Sequence, residues 1–270
     1  MNLSYFLYHE NNYLKPYVPQ EDYFVNSGSI FIVADGVTHD LINDKYPEPS
    51  DAYLVAEMTG EEILSSLKER FESLEDIKVV FQRANQKIAE FQKNRELYKN
   101  REENNYTFGA TVIAAAIIKN NKLYYGVLDD CLVAVFGNDG VDRLKLIPYV
   151  DNSTKYLLEK YSWDNLEGRK FWRKNIRNHQ IKVGSNTYGY GVLDGLGDYE
   201  PFLQTGEIEL KEKDLICVYS DGFIKPFEDK EFIAKVRKMT GSMKDYEYIA
   251  QYLREKGVNK EKSCYFIKYG

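Results

Sequence analysis

The chain is poor in the residues that mark several common classes of protein. It has three cysteines and three histidines among 270 residues. Cys131, Cys217 and Cys264 lie far apart in apolar, strand-like runs and fit no paired-cysteine metal motif. We therefore expect buried free thiols in a reducing cytosol, and with them a cytoplasmic protein.

The chain also lacks a block of basic residues and any long apolar run. Its 36 basic and 42 acidic residues are interspersed and give a formal charge of −6, which disfavours a nucleic-acid partner. No stretch reaches the apolar length that spans a bilayer, so no membrane partner is expected. Met1–Glu10 has neither the basic nor the apolar region of a signal peptide. We expect an intracellular, soluble monomer.

Two apolar strands that each end in Asp-Gly are the most informative feature of the sequence. Ile30–Ala34 reads as a strand buried on both faces, followed by Asp35 and Gly36. The segment LICVYSDG repeats the design and ends in Asp221 and Gly222. A single Asp-Gly pair is common in ordinary turns. Two strand-terminal copies suggest oxygen ligands that converge on one site.

A third carboxylate stands close to this site in the predicted fold. Glu21-Asp22 precedes a short strand, and Asn26–Gly28 is a natural hairpin turn into the strand that ends at Asp35. Asp22 is therefore expected on the strand next to Asp35, although a surface carboxylate is the alternative. Carboxylate and carbonyl oxygens favour Mg²⁺ or Mn²⁺.

The order of elements predicts an α+β fold: a four-layer αββα sandwich of two antiparallel β-sheets flanked by helix pairs, in a single domain over residues 1–270. Polar residues at 150–180 indicate an irregular helical insert or flap, whose basic cluster Arg169–Arg177 is either a solvated helical face or an attractant for phosphopeptide. The predicted helices are about 51–71, 74–98, 229–239 and 244–256. The predicted strands after the first helix pair are a meander over 106–118, 123–128, 132–136 and 143–147, then 208–210, 215–219 and 263–269.

Short motifs in a fixed order carry a resemblance to a known family. The motifs are Glu21-Asp22, Phe31–Gly36, Arg83-Ala84-Asn85, Gly109-Ala110-Thr111, Tyr125–Asp130 and Ser220-Asp221-Gly222. In this order they resemble the metal-dependent serine/threonine protein phosphatases of type 2C (PPM), over nearly the whole chain. The implied fold is the same αββα sandwich, with metals in the cleft between the sheet edges.

The resemblance implies an enzyme that hydrolyses phosphoserine or phosphothreonine in protein substrates. Asp35, the Gly36 carbonyl and Asp221 would hold two Mn²⁺ or Mg²⁺ ions, with Asp22 in contact mainly through water and Glu21 in support. Two such ions can activate a water for direct attack on a phosphomonoester. Asp129 stands at the family's position for a third ion; an ordinary hairpin-turn residue is the alternative.

The chain departs from the family pattern at several positions, and these leave a second function open. Lys260 stands where the family has its last metal-binding aspartate, with Glu261 next to it as a possible substitute ligand. Lys225 replaces a second ligand of the third ion, and Lys15 is the nearest cation to the family's phosphate-binding arginine. The alternative is a catalytically impaired, type 2C-like scaffold or binding module.

Overall fold

A computed structural model describes residues 3–12, 19–37, 50–95, 108–149, 161–162, 165–183 and 186–270. Its strands are β1 (Leu3–Glu10), β2 (Asp22–Ser27), β3 (Ile30–Gly36), β4 (Thr111–Lys119), β5 (Lys122–Leu128), β6 (Leu132–Phe136), β7 (Ile181–Val183), β8 (Asn186–Tyr188), β9 (Leu203–Glu209), β10 (Leu215–Tyr219) and β11 (Lys262–Tyr269). Its α-helices are α1 (Asp51–Glu69), α2 (Leu74–Lys93), α3 (Leu166–Asn175), α4 (Lys230–Val236) and α5 (Met243–Glu255).

The strands form two antiparallel sheets, as predicted. One sheet has the order β1-β11-β10-β6, and the other has the order β2-β3-β4-β5-β9. Helices α1 and α2 pack on the five-stranded sheet, while side chains of α4 and α5 join the core of the four-stranded sheet. The α+β, αββα sandwich expected from the pattern of elements is confirmed.

Strand β3 shows why its sequence is apolar without alternation. Phe31 and Val33 belong to the core that includes the four-stranded sheet, whereas Ile30, Ile32 and Ala34 belong to the core under α1 and α2. Successive side chains of a strand point to opposite faces, so a strand with a core on each side needs apolar residues throughout. This burial leaves the polar chemistry to the strand's end, at Asp35.

Helix α1 lies close to the strands that carry the candidate site. Ser50 caps it, with its hydroxyl accepting a hydrogen bond from the Tyr53 N–H over 3.1 Å. Gly60, in the middle of the helix, faces the ring of Tyr23, and a Cβ there would come within 2.8 Å of that ring. The glycine that weakens the helix therefore permits its close approach to β2.

The predicted strand meander is wrong beyond β5. Strand β6 leaves the five-stranded sheet and pairs with β10 in the other one, after a turn in which Asp129 has a φ of +57°. The run 143–147 forms no strand; Asp142 makes an isolated bridge to Phe136. Helix α2 ends at Lys93, earlier than residue 98, which lies outside the described residues. Local patterns mark strands but not the sheet that each one joins.

The basic cluster at 169–177 is not a solvated helical face throughout. The side chains of Arg173 and Arg177 are buried, and Arg177 Nε lies 3.3 Å from the equally buried carboxylate of Asp194. Trp172 is fully buried beside them and donates a hydrogen bond from its indole N–H to the Tyr161 carbonyl. Part of the predicted insert is therefore packed into the domain core. The rest, 150–160 and 163–164, lies outside the described residues.

Candidate metal centre

The β2–β3 hairpin brings two of the candidate carboxylates side by side. Asp22 and Asp35 are direct partners in the antiparallel register. The backbone of β3 is fixed at this point because the Thr111 hydroxyl donates to the Asp35 carbonyl over 2.8 Å. Gly36 follows in a crowded position, since a Cβ there would lie 2.8 Å from the Ala52 carbonyl carbon. Only a glycine allows the chain to pass between β2 and α1 here.

Asp22 connects the two sheets through hydrogen bonds of its side chain. Its side chain is fully buried, and its Oδ2 accepts hydrogen bonds from the hydroxyls of Ser220 at 2.8 Å and Ser263 at 2.6 Å. Ser220 follows β10 and Ser263 lies in β11, both of the opposite sheet. The same contact places Asp221, the next residue after Ser220, at the mouth of the cleft between the sheets.

Glu21 and Glu261 complete the acidic lining. The backbone N–H of Glu21 donates to Glu261 Oε2 over 2.8 Å, and the Ser50 hydroxyl donates to Glu21 Oε1 over 2.7 Å. The cleft has a volume of about 240 Å³. The described residues that line it are Asn12, Pro19, Glu21, Asp35, Asp221, Lys260 and Glu261.

The carboxylates are crowded enough to oppose their own ionisation. Burial, followed by the charges of Asp22 and Asp221, raises the pKa of Asp35 well above its ordinary value. Burial raises the pKa of Asp22 to about 7 and that of Glu261 to about 8, and neighbouring carboxylates add to both shifts. Among the described residues, Asp22 Oδ1 and Glu261 Oε1 are buried without a hydrogen-bond partner. A divalent cation is the ligand that would use these oxygens and neutralise the charge.

One cation already faces this acidic group. The Lys260 ammonium donates to Asp221 Oδ2 in a direct ion pair. Desolvation lowers the pKa of Lys260, but the charge of Asp221 and its hydrogen bond outweigh that effect and raise the pKa to about 12. The neighbouring Lys262 points elsewhere: its buried ammonium lies 3.3 Å from Glu10 Oε2 and donates to the Lys260 carbonyl.

Asp129 and Asp130 act on different groups, a difference that the sequence motifs did not predict. Asp129, the expected third-ion residue, is buried with a φ of +57°, and its charge acts on the Tyr190 hydroxyl. The charge of Asp130 instead contributes to the raised pKa of Asp35. A left-handed backbone favours glycine, and Asp129 as a residue of a third ion stays a prediction.

His9 is a residue near the centre that sequence reasoning missed. Its Nδ1 lies 2.9 Å from the Ser263 hydroxyl oxygen. One ring nitrogen of His9 and single carboxylate oxygens of Asp22 and Glu261 lie within 4.8 Å of one another. No local signal could reveal this, because the pairing of β1 with β11 alone brings His9 opposite Ser263. Lys225 is exposed, while Lys15 lies outside the described residues.

A sequence profile of the family described as protein phosphatase 2C matches residues 18–257. The chain belongs to the protein phosphatase 2C family. No curated protein sequence matches it. Among the described residues of this phosphatase 2C chain, no helix combines the length and apolarity needed to cross a bilayer.

Solved structures of phosphatases share the fold at low sequence identity. A serine/threonine phosphatase from S. agalactiae is 16% identical with a TM-score of 0.65 and full coverage of both chains. The Mycobacterium tuberculosis phosphatase PstP/Ppp is 14% identical with a TM-score of 0.63 and 99% coverage of each chain. The PstP catalytic domain, in complex with two manganese ions, is 14% identical with a TM-score of 0.63 and covers 98% and 97%.

Proposed function

We propose that the protein is a divalent-metal-dependent phosphatase that hydrolyses phosphoserine and phosphothreonine in protein substrates. The observation that carries this proposal is the cleft in which Asp35, Asp221 and Glu261 converge from both sheets, in a member of the phosphatase 2C family. The shared core between the two sheets supports one catalytic domain over residues 1–270. Three buried free cysteines support a cytoplasmic location. We also propose that the protein is a monomer.

The residues present fit a divalent cation. Asp35, the Gly36 carbonyl and Asp221 would supply oxygen ligands, with Asp22, Glu21, Asp130 and Glu261 around them. The partnerless Asp22 Oδ1 and Glu261 Oε1, together with the raised pKa values of these carboxyl groups, support a cation rather than an empty acidic cleft. When bound, Mn²⁺ or Mg²⁺ would lower the pKa of a water and orient it toward a phosphoryl group. The family resemblance implies two ions.

The chain's own residues have distinct positioning roles in this proposal. Ser220 and Ser263 hold Asp22 Oδ2, which leaves Oδ1 as the oxygen without a hydrogen-bond partner. Thr111 holds the Asp35 carbonyl, and Glu261 is oriented by the N–H of Glu21. The oxygen ligands are thus fixed before a substrate arrives, as a preorganised site requires.

The ion pair between Lys260 and Asp221 favours a second candidate function. A carboxylate that is already bound to an ammonium group is a weaker ligand for a metal, so the chain could be a catalytically impaired scaffold with a phosphatase fold. That candidate predicts no metal binding at millimolar Mn²⁺ and no hydrolysis.

Hydrolysis of an aryl phosphate and of phosphoserine and phosphothreonine peptides, with and without Mn²⁺, tests the proposal. We expect activity that needs metal, is removed by chelator, and falls at least ~100-fold in Asp35→Asn and Asp221→Asn. Asp139→Asn is the matched control, because Asp139 lies in the exposed turn after β6, at the end of that strand away from Asp130. Activity that survives chelator or either site substitution would contradict the proposal.

A further inference from the structure

Lys260 places a permanent positive charge inside the candidate metal centre. It lies in the loop between α5 and β11, and its side chain is 62% exposed, while that of Asp221 is 18% exposed. Among the described residues that line the cleft, Lys260 is the cation, against the carboxylates of Glu21, Asp35, Asp221 and Glu261. An exposed lysine elsewhere on the surface would form an ordinary weak ion pair. Lys260 instead pairs with a carboxylate of the centre itself.

The loop that carries Lys260 is held at Lys260 itself and at the next residue. Glu261 is fixed by the Glu21 N–H at 2.8 Å, and the Lys260 carbonyl accepts from the buried Lys262 ammonium at 2.9 Å. Gly222, after Asp221, packs so closely that a Cβ would lie 2.4 Å from Lys262 Cβ and 2.8 Å from the Glu261 carbonyl oxygen. The segments that carry Lys260 and Asp221 are therefore in firm contact, and the ion pair is built into that contact.

An ammonium group and a divalent ion compete for one carboxylate. Both bind through the oxygens of Asp221, and two cations held on one carboxylate repel each other. The remaining oxygens come from Asp35, Asp22 and Glu261, and two of them, Asp22 Oδ1 and Glu261 Oε1, are buried without a hydrogen-bond partner. They are sufficient for one ion.

We propose that Lys260 acts as a tethered cation that takes the place of a second divalent ion at Asp221, so that the centre binds one ion instead of two. This inference rests on the proposed function, since it assumes that the centre binds metal. The ammonium group supplies a fixed charge that faces an incoming phosphoryl group as a point charge, without activating water. Lys260 is thereby a determinant of metal number.

Metal counting on the whole chain tests the inference without using activity. Metal-stripped protein is titrated calorimetrically with Mn²⁺, and the EPR spectrum is recorded at saturation, because two neighbouring Mn²⁺ ions couple magnetically and a single ion does not. Lys260→Met removes the ammonium group with its charge and its hydrogen bond to Asp221, and Lys260→Asp also adds a carboxylate. Lys256→Met is the control, because Lys256 is 53% exposed and lies 3.3 Å from Asp229, away from the cleft. Circular dichroism and a thermal melt confirm that each variant is folded.

We expect one uncoupled ion in the wild type and in Lys256→Met, and two coupled ions in both Lys260 variants, with the second ion bound at least tenfold tighter in Lys260→Asp than in Lys260→Met. Two coupled ions in the wild type would overturn the inference and leave the proposed function standing. A second ion in Lys260→Asp alone would also overturn it, because a missing carboxylate rather than the ammonium group would then limit the site. No ion in the wild type would overturn both proposals, whereas one ion without hydrolysis would overturn only the proposed function.

Discussion

We expect the metal-free Asp22→Asn variant to gain stability relative to the wild type as the pH rises. Asp22 is fully buried, and burial is the largest cause of its pKa of about 7 against an ordinary value of 3.8. Because folding raises the pKa of this carboxyl, the folded state favours its protonated form. Its contribution to stability is therefore fully present below about pH 4 and is lost as the pH rises through about 7.

The size of the effect follows from the same two pKa values. Between pH 5 and pH 8, ionisation of Asp22 should reduce the free energy of unfolding of the wild type by about 2 to 3 kcal/mol, since each pKa unit corresponds to about 1.4 kcal/mol. Asparagine cannot ionise, so the variant lacks this loss. For a chain of this size the difference corresponds to a melting temperature change of roughly 5–10 °C.

Thermal and urea unfolding in the presence of chelator, from pH 5 to pH 8, measures the difference. The comparison that matters is the pH dependence and not the absolute stability, because asparagine also changes the hydrogen bonds with Ser220 and Ser263. Added Mn²⁺ should stabilise the wild type and have a smaller effect on the variant. The reasoning would be refuted if the wild type and Asp22→Asn lost stability in parallel across this range.

Three further substitutions test other parts of the structure. Asp245→Asn should lower stability at pH 7 and lose its effect near pH 2, because hydrogen bonds from the Thr240 and Ser242 N–H groups hold the pKa of Asp245 at about 2. An equal loss of stability at both pH values in urea melts would contradict this. Gly36→Ala should reduce Mn²⁺ affinity at least ~10-fold, because the added Cβ would push β3 away from Ala52. An unchanged Mn²⁺ affinity in a calorimetric titration would contradict this. Phe81→Ala should cost about 3–5 kcal/mol of unfolding free energy, because the ring is fully buried beneath α2, and a loss below ~1 kcal/mol in urea melts would show that the core collapses around it.

The sequence by itself determined most of the helices and strands, and the strand ends at which the carboxylates lie. The apolar run before Asp35 is a strand with a core on each side, and the helix predicted from residue 74 begins at Leu74. Both signals are local, because a strand or helix repeats its buried positions at a fixed period. Asp35 and Asp221 could be proposed as one site from their positions at strand ends.

Tertiary structure decided which side chains share that site. Strand β6 pairs in the other sheet, the charge of Asp130 contributes to the raised pKa of Asp35, and His9 comes opposite Ser263. None of these depends on a local pattern; each follows from how strands that are distant in the chain pair. The ion pair of Lys260 with Asp221 belongs to the same class. A lysine near a ligand position can be recognised in the sequence, but only the packing of two loops determines that its charge rests on that carboxylate.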